Sequence, residues 1–345
     1  MPDYPDKITS EDQLEELLSR PEPGLEEIFR RVEGDILILG VSGKIGPSLA
    51  KMARRACNNA GIRKRILGID RQISPELQNR FRSMEIEAIQ GDLLDRGFLN
   101  SLPLVRNVFF LTGMKFGAVD NLPLTWAINS WLPALVADHF STSRIVAFST
   151  GCIYPLVQVI SGGSTENDLP DPVGEYAQSC LARERMFQYG SIRNKSEVML
   201  IRLNYSVELR YGVLTDIALK VKNNIPVDLS MGYFNIIWQG DMNNYVLRSV
   251  EYAGSPPRIL NITGSEILSV REISKEFGRL FGTDPLFINN ESDTALLSNP
   301  AEVIKLFGKP KICVNQIIIW IAEWLKSNGR ILNKPTHFEV RDGKY

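Results

Sequence analysis

The sequence predicts an α/β protein: a doubly wound parallel sheet of about seven strands with a smaller, mostly helical lobe toward the C-terminus. Three observations lead there. Short runs rich in Val, Ile, Leu and Phe recur between segments of helical periodicity, as strands and crossover helices do in a parallel sheet covered on both faces. The first of these runs enters a glycine-rich turn and then a helix. Finally, the 345 residues are 44% apolar and 23% charged, which is ordinary globular usage for about two domains.

Residues 1–34 read as a helical extension. Ser10 or Thr9 caps a short acidic helix, Glu11 to Ser19; Pro21 and Pro23 interrupt it, and Leu25 to Val32 form a second helical stretch. Charged positions dominate both, as in a solvated arm packing on the domain or on a partner subunit. From Asp35 strands are expected at Ile36–Leu39, Arg65–Ile69, Glu85–Gln90, Asn107–Leu111 and Arg144–Phe148. Helices are expected between them at Lys44–Ala60, Pro75–Ser83, Leu94–Leu102 and from Trp126 to Phe140. Val198–Arg202 and Arg258–Ile262 supply two further strands. No low-complexity linker separates the domains, so they interleave. Residues 35–204 with about 241–263 make the sheet domain, and 205–240 with 264–345 the lobe.

Composition excludes several functions. A formal net charge of −1 gives no electrostatic footprint for nucleic acid or an anionic membrane. Two histidines, His139 and His337, cannot build a zinc site of several imidazoles, and no metal is expected. Cys57, Cys152, Cys180 and Cys313 lie far apart without a C-x-x-C pair, as reduced thiols in a cytoplasmic protein do. The acidic start, MPDYPDKITSEDQLEELL, has no apolar core for secretion. No membrane span is expected: the most apolar late run, Ile317 to Leu325, contains Glu323 and is far short of the length needed.

Ile36-Leu-Ile-Leu-Gly40-Val-Ser-Gly43-Lys-Ile-Gly46 is a strand, a turn and a helix start in the order that cradles a dinucleotide pyrophosphate. Gly40 permits the turn, Gly43 lets backbone approach phosphate, and Gly46 allows close helix–strand contact. Ser42, Lys44 and Ile45 complete the candidate phosphate contacts. The spacing is G-x-x-G-x-x-G. Asp70 ends the second strand, where a carboxylate accepts from ribose hydroxyls and favours NAD; Arg71 beside it can face a 2′-phosphate instead, so NADP stays second.

These residues resemble the extended short-chain dehydrogenase/reductase family, the NAD-dependent epimerase/dehydratase group, over about 35–327. Gly91-Asp92-Leu93-Leu94-Asp95 is similar to its G-D-L-x-D segment, in which the first Asp contacts adenine. Val108 to Gly113 stands where the family has a strand end beside the cofactor, which implies cofactor contacts from Leu111, Thr112 and Gly113. Asn129 falls at its helical Asn. Phe148-Ser149-Thr150-Gly-Cys-Ile-Tyr154 resembles S-S-x-x-V-Y, Arg202-Leu-Asn204 resembles R-x-x-N, Asp241 matches a helix-starting Asp, and Leu260 to Gly264 resembles the late N-x-G segment. Tyr176 stands at the catalytic tyrosine, where it would also contact the cofactor. The resemblance implies a Rossmann-type NAD(P)-binding domain and a substrate lobe. It also implies hydride transfer at a secondary alcohol of a carbohydrate-like substrate (sugar, sugar acid or sugar nucleotide), and a possible homodimer.

One family residue is missing. A tyrosine with a pKa near about 10 is a poor base at neutral pH, and the family places a lysine four residues on, on the same helix face, to favour the phenolate. Here that residue is Cys180, a candidate site residue whose thiol is neutral unless its pKa is lowered. Thr150 takes the family's hydroxyl role. Lys115, in the loop after the fourth strand, is the candidate replacement cation and substrate contact, or else an exposed loop lysine. Ser149, Asn204, Arg210 and Gln239 are the remaining candidate substrate contacts. Phe234 stands where sugar-nucleotide members carry a diphosphate-binding arginine, which leaves room for a smaller polyol, sugar acid or lactone. The competing reading is a non-catalytic NAD-binding structural or sensor protein that has lost the Tyr–Lys pair.

Overall fold

The computed structural model describes residues 4–115, 117 and 120–343, so the first three residues of the extension and the last two of the lobe lie outside the described residues. Seven parallel strands form the main sheet: β1 (Ile36–Leu39), β2 (Ile66–Asp70), β3 (Glu87–Gln90), β4 (Asn107–Phe110), β5 (Arg144–Thr150), β6 (Val198–Leu203) and β7 (Arg258–Ile262). Their order is β7-β6-β5-β4-β1-β2-β3. The order reverses between β1 and β4, and at such a switch point the crevice outside the strands' carboxyl ends takes ligand. Apolar runs suit the central strands because both their faces are buried, whereas the edge strand β3 is largely exposed. In β1, Ile36 and Ile38 enter one core while Leu37 and Leu39 enter the other.

The extension packs on the domain, one of the two placements expected, but through buried apolar stripes rather than as a solvated arm. Helix α1 (Glu11–Leu18) buries Leu14, Leu17 and Leu18 in the lobe core, and α2 (Pro23–Arg31) buries Leu25, Ile28 and Phe29 against the sheet. Its charges alternate with a narrow apolar stripe, which charge counting alone hides. Helix α3 (Gly46–Ala60) follows the glycine turn, and α4 (Gly174–Asn194) lies beside β5.

The lobe core gathers Leu214 and Ile217 of α5 (Val213–Lys222), Phe277 of α7 (Val270–Phe281) and Trp320 of α8 (Val314–Lys326). Between β6 and β7, α6 (Gln239–Ser249) returns to the sheet side through Met242, Tyr245 and Val246. Two-residue ladders also occur, such as Ile237–Trp238 on Ser206–Val207 and Tyr233–Phe234 on Leu268–Ser269. After α8 the chain runs as a strap back across the lobe: Leu332 donates to the Arg210 carbonyl, the Thr336 amide and hydroxyl reach Asp216, and Phe338 is buried. Among the described residues no helix is long and apolar enough to cross a membrane.

Candidate functional site

The glycine turn is built as its sequence requires. Gly40 has φ +88°, and a side chain there would collide with the Thr112 amide at 2.8 Å. At Gly46 a Cβ would stand 2.2 Å from the Val41 carbonyl, so only glycine lets α3 close on the turn. Gly43 differs: the nearest atom to its missing Cβ is the Gly40 carbonyl at 3.4 Å, and the space above it belongs to the cleft. The Ser42 amide donates to Asp70, fastening the turn to the end of β2. Ser42 Oγ and Thr112 Oγ1 are buried without a protein partner. Unpartnered hydroxyls beside a backbone turn at a helix N-terminus fit a phosphate-bearing ligand, so the residues present suit a dinucleotide.

A cleft of about 680 Å³ runs from this turn to the end of β5. Gly40, Ser42, Gly43, Lys44, Ile45, Gly46, Leu111 and Gly113 line its floor, and Ser149, Tyr176 and Arg183 its far end. Glu11, Glu15, Arg210, Leu332 and Lys334 form the opposite wall, so the extension and the strap both border it. Of the other expected cofactor contacts, Asp70 and Arg71 lie at the end of β2 and Asp92 accepts from the Leu94 amide just after β3, all outside the lining. The Leu93 side chain packs into the sheet core, which leaves its backbone as the part able to face a ligand.

A smaller cavity of about 200 Å³ adjoins the cleft and shares Lys44, Ile45, Lys115, Ser149, Tyr176 and Gln239 with it. Thr150, Asn204 and Tyr211 also line it. Thr150 Oγ1 accepts the Cys152 amide at 3.1 Å, which leaves its proton to be donated elsewhere. The Ser149 hydroxyl is committed: it donates to Glu184 at 2.6 Å. Glu184 is fully buried and pairs with Arg202 at 2.9 Å, and Arg202 reaches the Tyr154 hydroxyl at 2.7 Å. This network ties β5, α4 and β6 together and fixes Thr150 beside Tyr176.

Tyr176 is hydrogen-bonded to Cys180, one turn along α4, and burial raises the titration of both groups well above neutrality. Cys180 is fully buried and stays a neutral thiol, so it does not supply the missing charge. The Lys115 ammonium stands 5.8 Å from the Tyr176 ring centre. Lys44 lies 3.2 Å from the centre of the Tyr211 ring; burial, with Lys115 and Lys334 nearby, pulls its titration down to about 7.

Three expected substrate contacts have structural partners. Arg210 lines the cleft but is held by Glu15 at 2.8 Å, Glu208 at 3.0 Å and Glu11 at 3.3 Å, which largely neutralise its charge. The Asn204 amide donates to Asn235 at 2.9 Å, with one face left to the cavity. Gln239 donates to Ser48 at 3.0 Å and so holds α3 from the lobe side. Phe234 is buried against Phe338, with ring centres 6.1 Å apart, and lines neither the cleft nor the smaller cavity. Asn129 lies in a π-helical turn, fully buried, with its amide on both backbone groups of Met114, on Ser179 and on Arg183. The sequence reading missed Arg183 and Glu184; their spacing from Tyr176 on one helix was the available signal.

A doubly wound sheet with a glycine turn at its switch point and a hydroxyl pair at the far end defines an α/β dinucleotide-binding protein. Residues 36–207 match the model of the NAD dependent epimerase/dehydratase family, and through that segment the chain belongs to it. No curated protein sequence matches the chain. Among solved structures it is similar to DesIV, a dTDP-glucose 4,6-dehydratase from Streptomyces venezuelae with NAD and TYD bound. That likeness has 14% identity and a TM-score of 0.72, over 85% of this chain and 97% of that one. It is also similar to a UDP-glucuronic acid 4-epimerase from Bacillus cereus in complex with UDP-glucuronic acid and NAD, at 15% identity and a TM-score of 0.69, over 85% and 99%. Pal from Bacillus thuringiensis gives 17% identity and a TM-score of 0.69 over the same shares.

Proposed function

We propose that this protein is an NAD-dependent oxidoreductase or epimerase acting at a secondary alcohol of a small carbohydrate-like substrate, with NADP the poorer cofactor. The observation that carries the reading is the position of Tyr176, which lines both the dinucleotide-sized cleft and the small cavity holding Thr150. Bound in the cleft, NAD would supply a hydride acceptor. The chain's own residues do the rest. Gly40, Ser42, Gly43, Lys44 and Ile45 hold the phosphates, and Asp70 meets the ribose. Thr150 donates its remaining proton to the substrate oxygen and orients it, and Tyr176 exchanges the hydroxyl proton. The small cavity lies below the roughly 300–1,000 Å³ of sites for larger ligands, and Phe234, which takes the sequence position of the family's diphosphate-binding arginine, is buried in the lobe core and offers the cleft no guanidinium. Both favour a sugar or sugar acid over a sugar nucleotide.

The second reading, a non-catalytic NAD-binding protein, is favoured by the neutral thiol at Cys180. Incubation with NAD and a panel of neutral sugars, sugar acids and sugar nucleotides separates the two. The panel is followed by reduced-nicotinamide absorbance and by chromatography of epimers. Turnover of a small sugar or sugar acid, abolished in Tyr176→Phe, is the expected result. NAD binding by calorimetry without turnover of any panel member favours the second reading.

A further inference from the structure

Helix α4 carries a second charged group that the roles above do not use. Arg183 lies seven residues after Tyr176, two turns along the same helix face, and is 5% exposed. Its Nη1 donates to the Phe148 carbonyl at 2.9 Å and its Nη2 to Asn129 Oδ1 at 2.6 Å, while Nε is buried without a partner. The guanidinium carbon lies 5.6 Å from the Phe110 ring centre. Gly113 makes room for it: a Cβ there would stand 2.7 Å from Nη2. Among the described residues no carboxylate forms an ion pair with Arg183, because Glu184, next in sequence, is turned to Ser149 and Arg202.

A buried cation held only by neutral dipoles is costly to fold around, and it is what a nearby developing anion requires. We infer that Arg183 is the positioning residue that replaces the missing lysine: a fixed guanidinium, held by Asn129 and the Phe148 carbonyl behind Gly113, that favours the phenolate of Tyr176. The inference rests on the proton-exchange role proposed for Tyr176. Arginine suits the task because it stays charged throughout the working pH range, and its longer reach lets it act from a turn further along α4. Tyr176 and Arg183 line the same cleft, and Lys115 after β4 lies over the Tyr176 ring; Cys180 on α4 and Cys152 after β5 are the other titratable groups that act on the phenol. Burial and the two thiols oppose ionisation of the phenol, and Arg183 favours it. No bond to Arg183 forms or breaks; it acts through charge and position.

The test reads the phenol directly. A more acidic fluorinated tyrosine placed at 176 brings its titration into the range where the protein is folded, and ¹⁹F NMR with NAD present follows it without turnover. Arg183→Gln keeps a donor to Asn129 and loses the charge; it is expected to raise the titration midpoint by about one pH unit or more. Arg183→Lys should raise it less, and Cys180→Lys in the Arg183→Gln background should bring it back down. With the natural tyrosine at 176, the acidic limb of kcat, which reports the base, should move upward by the same amount. Arg183→Met is the second variant if Arg183→Gln does not fold. An unmoved midpoint in a folded, NAD-binding variant overturns the inference and leaves the role of Tyr176 standing. A moved midpoint in a protein that turns over no carbohydrate supports the charge assignment and refutes the proposed reaction.

Discussion

The Ser42 amide donates to Asp70 Oδ2 at 2.8 Å while the Arg71 amide donates to Oδ1 at 2.7 Å, so a single carboxylate clamps the glycine turn to the end of β2. Each oxygen keeps a further lone pair for a ribose hydroxyl. A 2′-phosphate would meet this carboxylate, whereas the Arg71 side chain points to solvent. NAD is therefore expected to bind at least about ten-fold more tightly than NADP, a difference of about 1.4 kcal/mol. Titration of both cofactors at fixed salt checks it. Tighter binding of NADP would remove Asp70 from the ribose site.

The three glycines of the turn should fail in different ways. Gly46→Ala forces a Cβ to within 2.2 Å of backbone and should cost several kcal/mol of stability, seen as a large fall in Tm. Gly43 has open space, so Gly43→Val should keep the fold while filling the place a pyrophosphate takes. The expected outcome is a native circular-dichroism spectrum with no measurable NAD binding by calorimetry. Unchanged affinity in folded Gly43→Val would sink the phosphate assignment.

Lys44 gives cofactor binding a pH signature. Burial lowers its titration to about 7, so in the unliganded protein it is largely neutral at pH 8. The native state then binds fewer protons than the unfolded chain between about 7 and 10, and stability attributable to this group rises with pH through that window and is lost as pH falls through about 7. An arriving pyrophosphate favours the charged form, so NAD binding at pH 8 should take up close to one proton and at pH 6 very little. Calorimetry in two buffers of different ionisation heat measures the uptake, and Lys44→Met should abolish it. Equal uptake at both pH values would show that Lys44 does not meet the cofactor.

The sheet strands could be read from sequence because the central ones, such as β1 and β4, are buried on both faces and run as continuous apolar stretches, and the edge strand β3 (EAIQ, largely exposed) was placed by its spacing between helices. Their observed ends fall within a few residues of those expected. The strap after α8 could not be read. Asn328, Gly329 and Asn333 look like any loop, and the anchors are isolated contacts such as Trp324 Nε1 to the Arg330 carbonyl at 2.9 Å, which no periodicity announces. The two-residue ladders of the lobe are likewise too short to show alternation. In the site, glycine spacing and the hydroxyl pair were legible because backbone geometry demands those residue types. Arg183 was hidden among Glu184 and Arg185, where a charged triplet reads as a solvated helix face. Only its spacing from Tyr176 sets it apart. The partners of Arg210 were hidden for the opposite reason: besides the neighbouring Glu208, its carboxylates come from α1, far away in sequence.

Lys115 tests how the charges around Tyr176 divide their work. Its ammonium is 5.8 Å from the ring centre and it lines both cavities, whereas Arg183 lines only the cleft and is anchored behind Gly113. A cation on the cavity side meets the substrate as well as the phenol. Lys115→Ala should therefore lower kcat/KM by about ten-fold, the equivalent of one lost charge-assisted contact of about 1.4 kcal/mol. The loss should fall mainly on KM and be greater for a sugar acid than for the matching neutral sugar. The acidic limb of kcat should stay near its wild-type position, since Arg183 remains. Steady-state kinetics across pH for wild type, Lys115→Ala, Arg183→Gln and the double variant give the coupling between the two cations. If Lys115→Ala leaves KM unchanged for every acidic substrate and moves the acidic limb upward, Lys115 is the cation that sets the phenol and the division argued above is reversed.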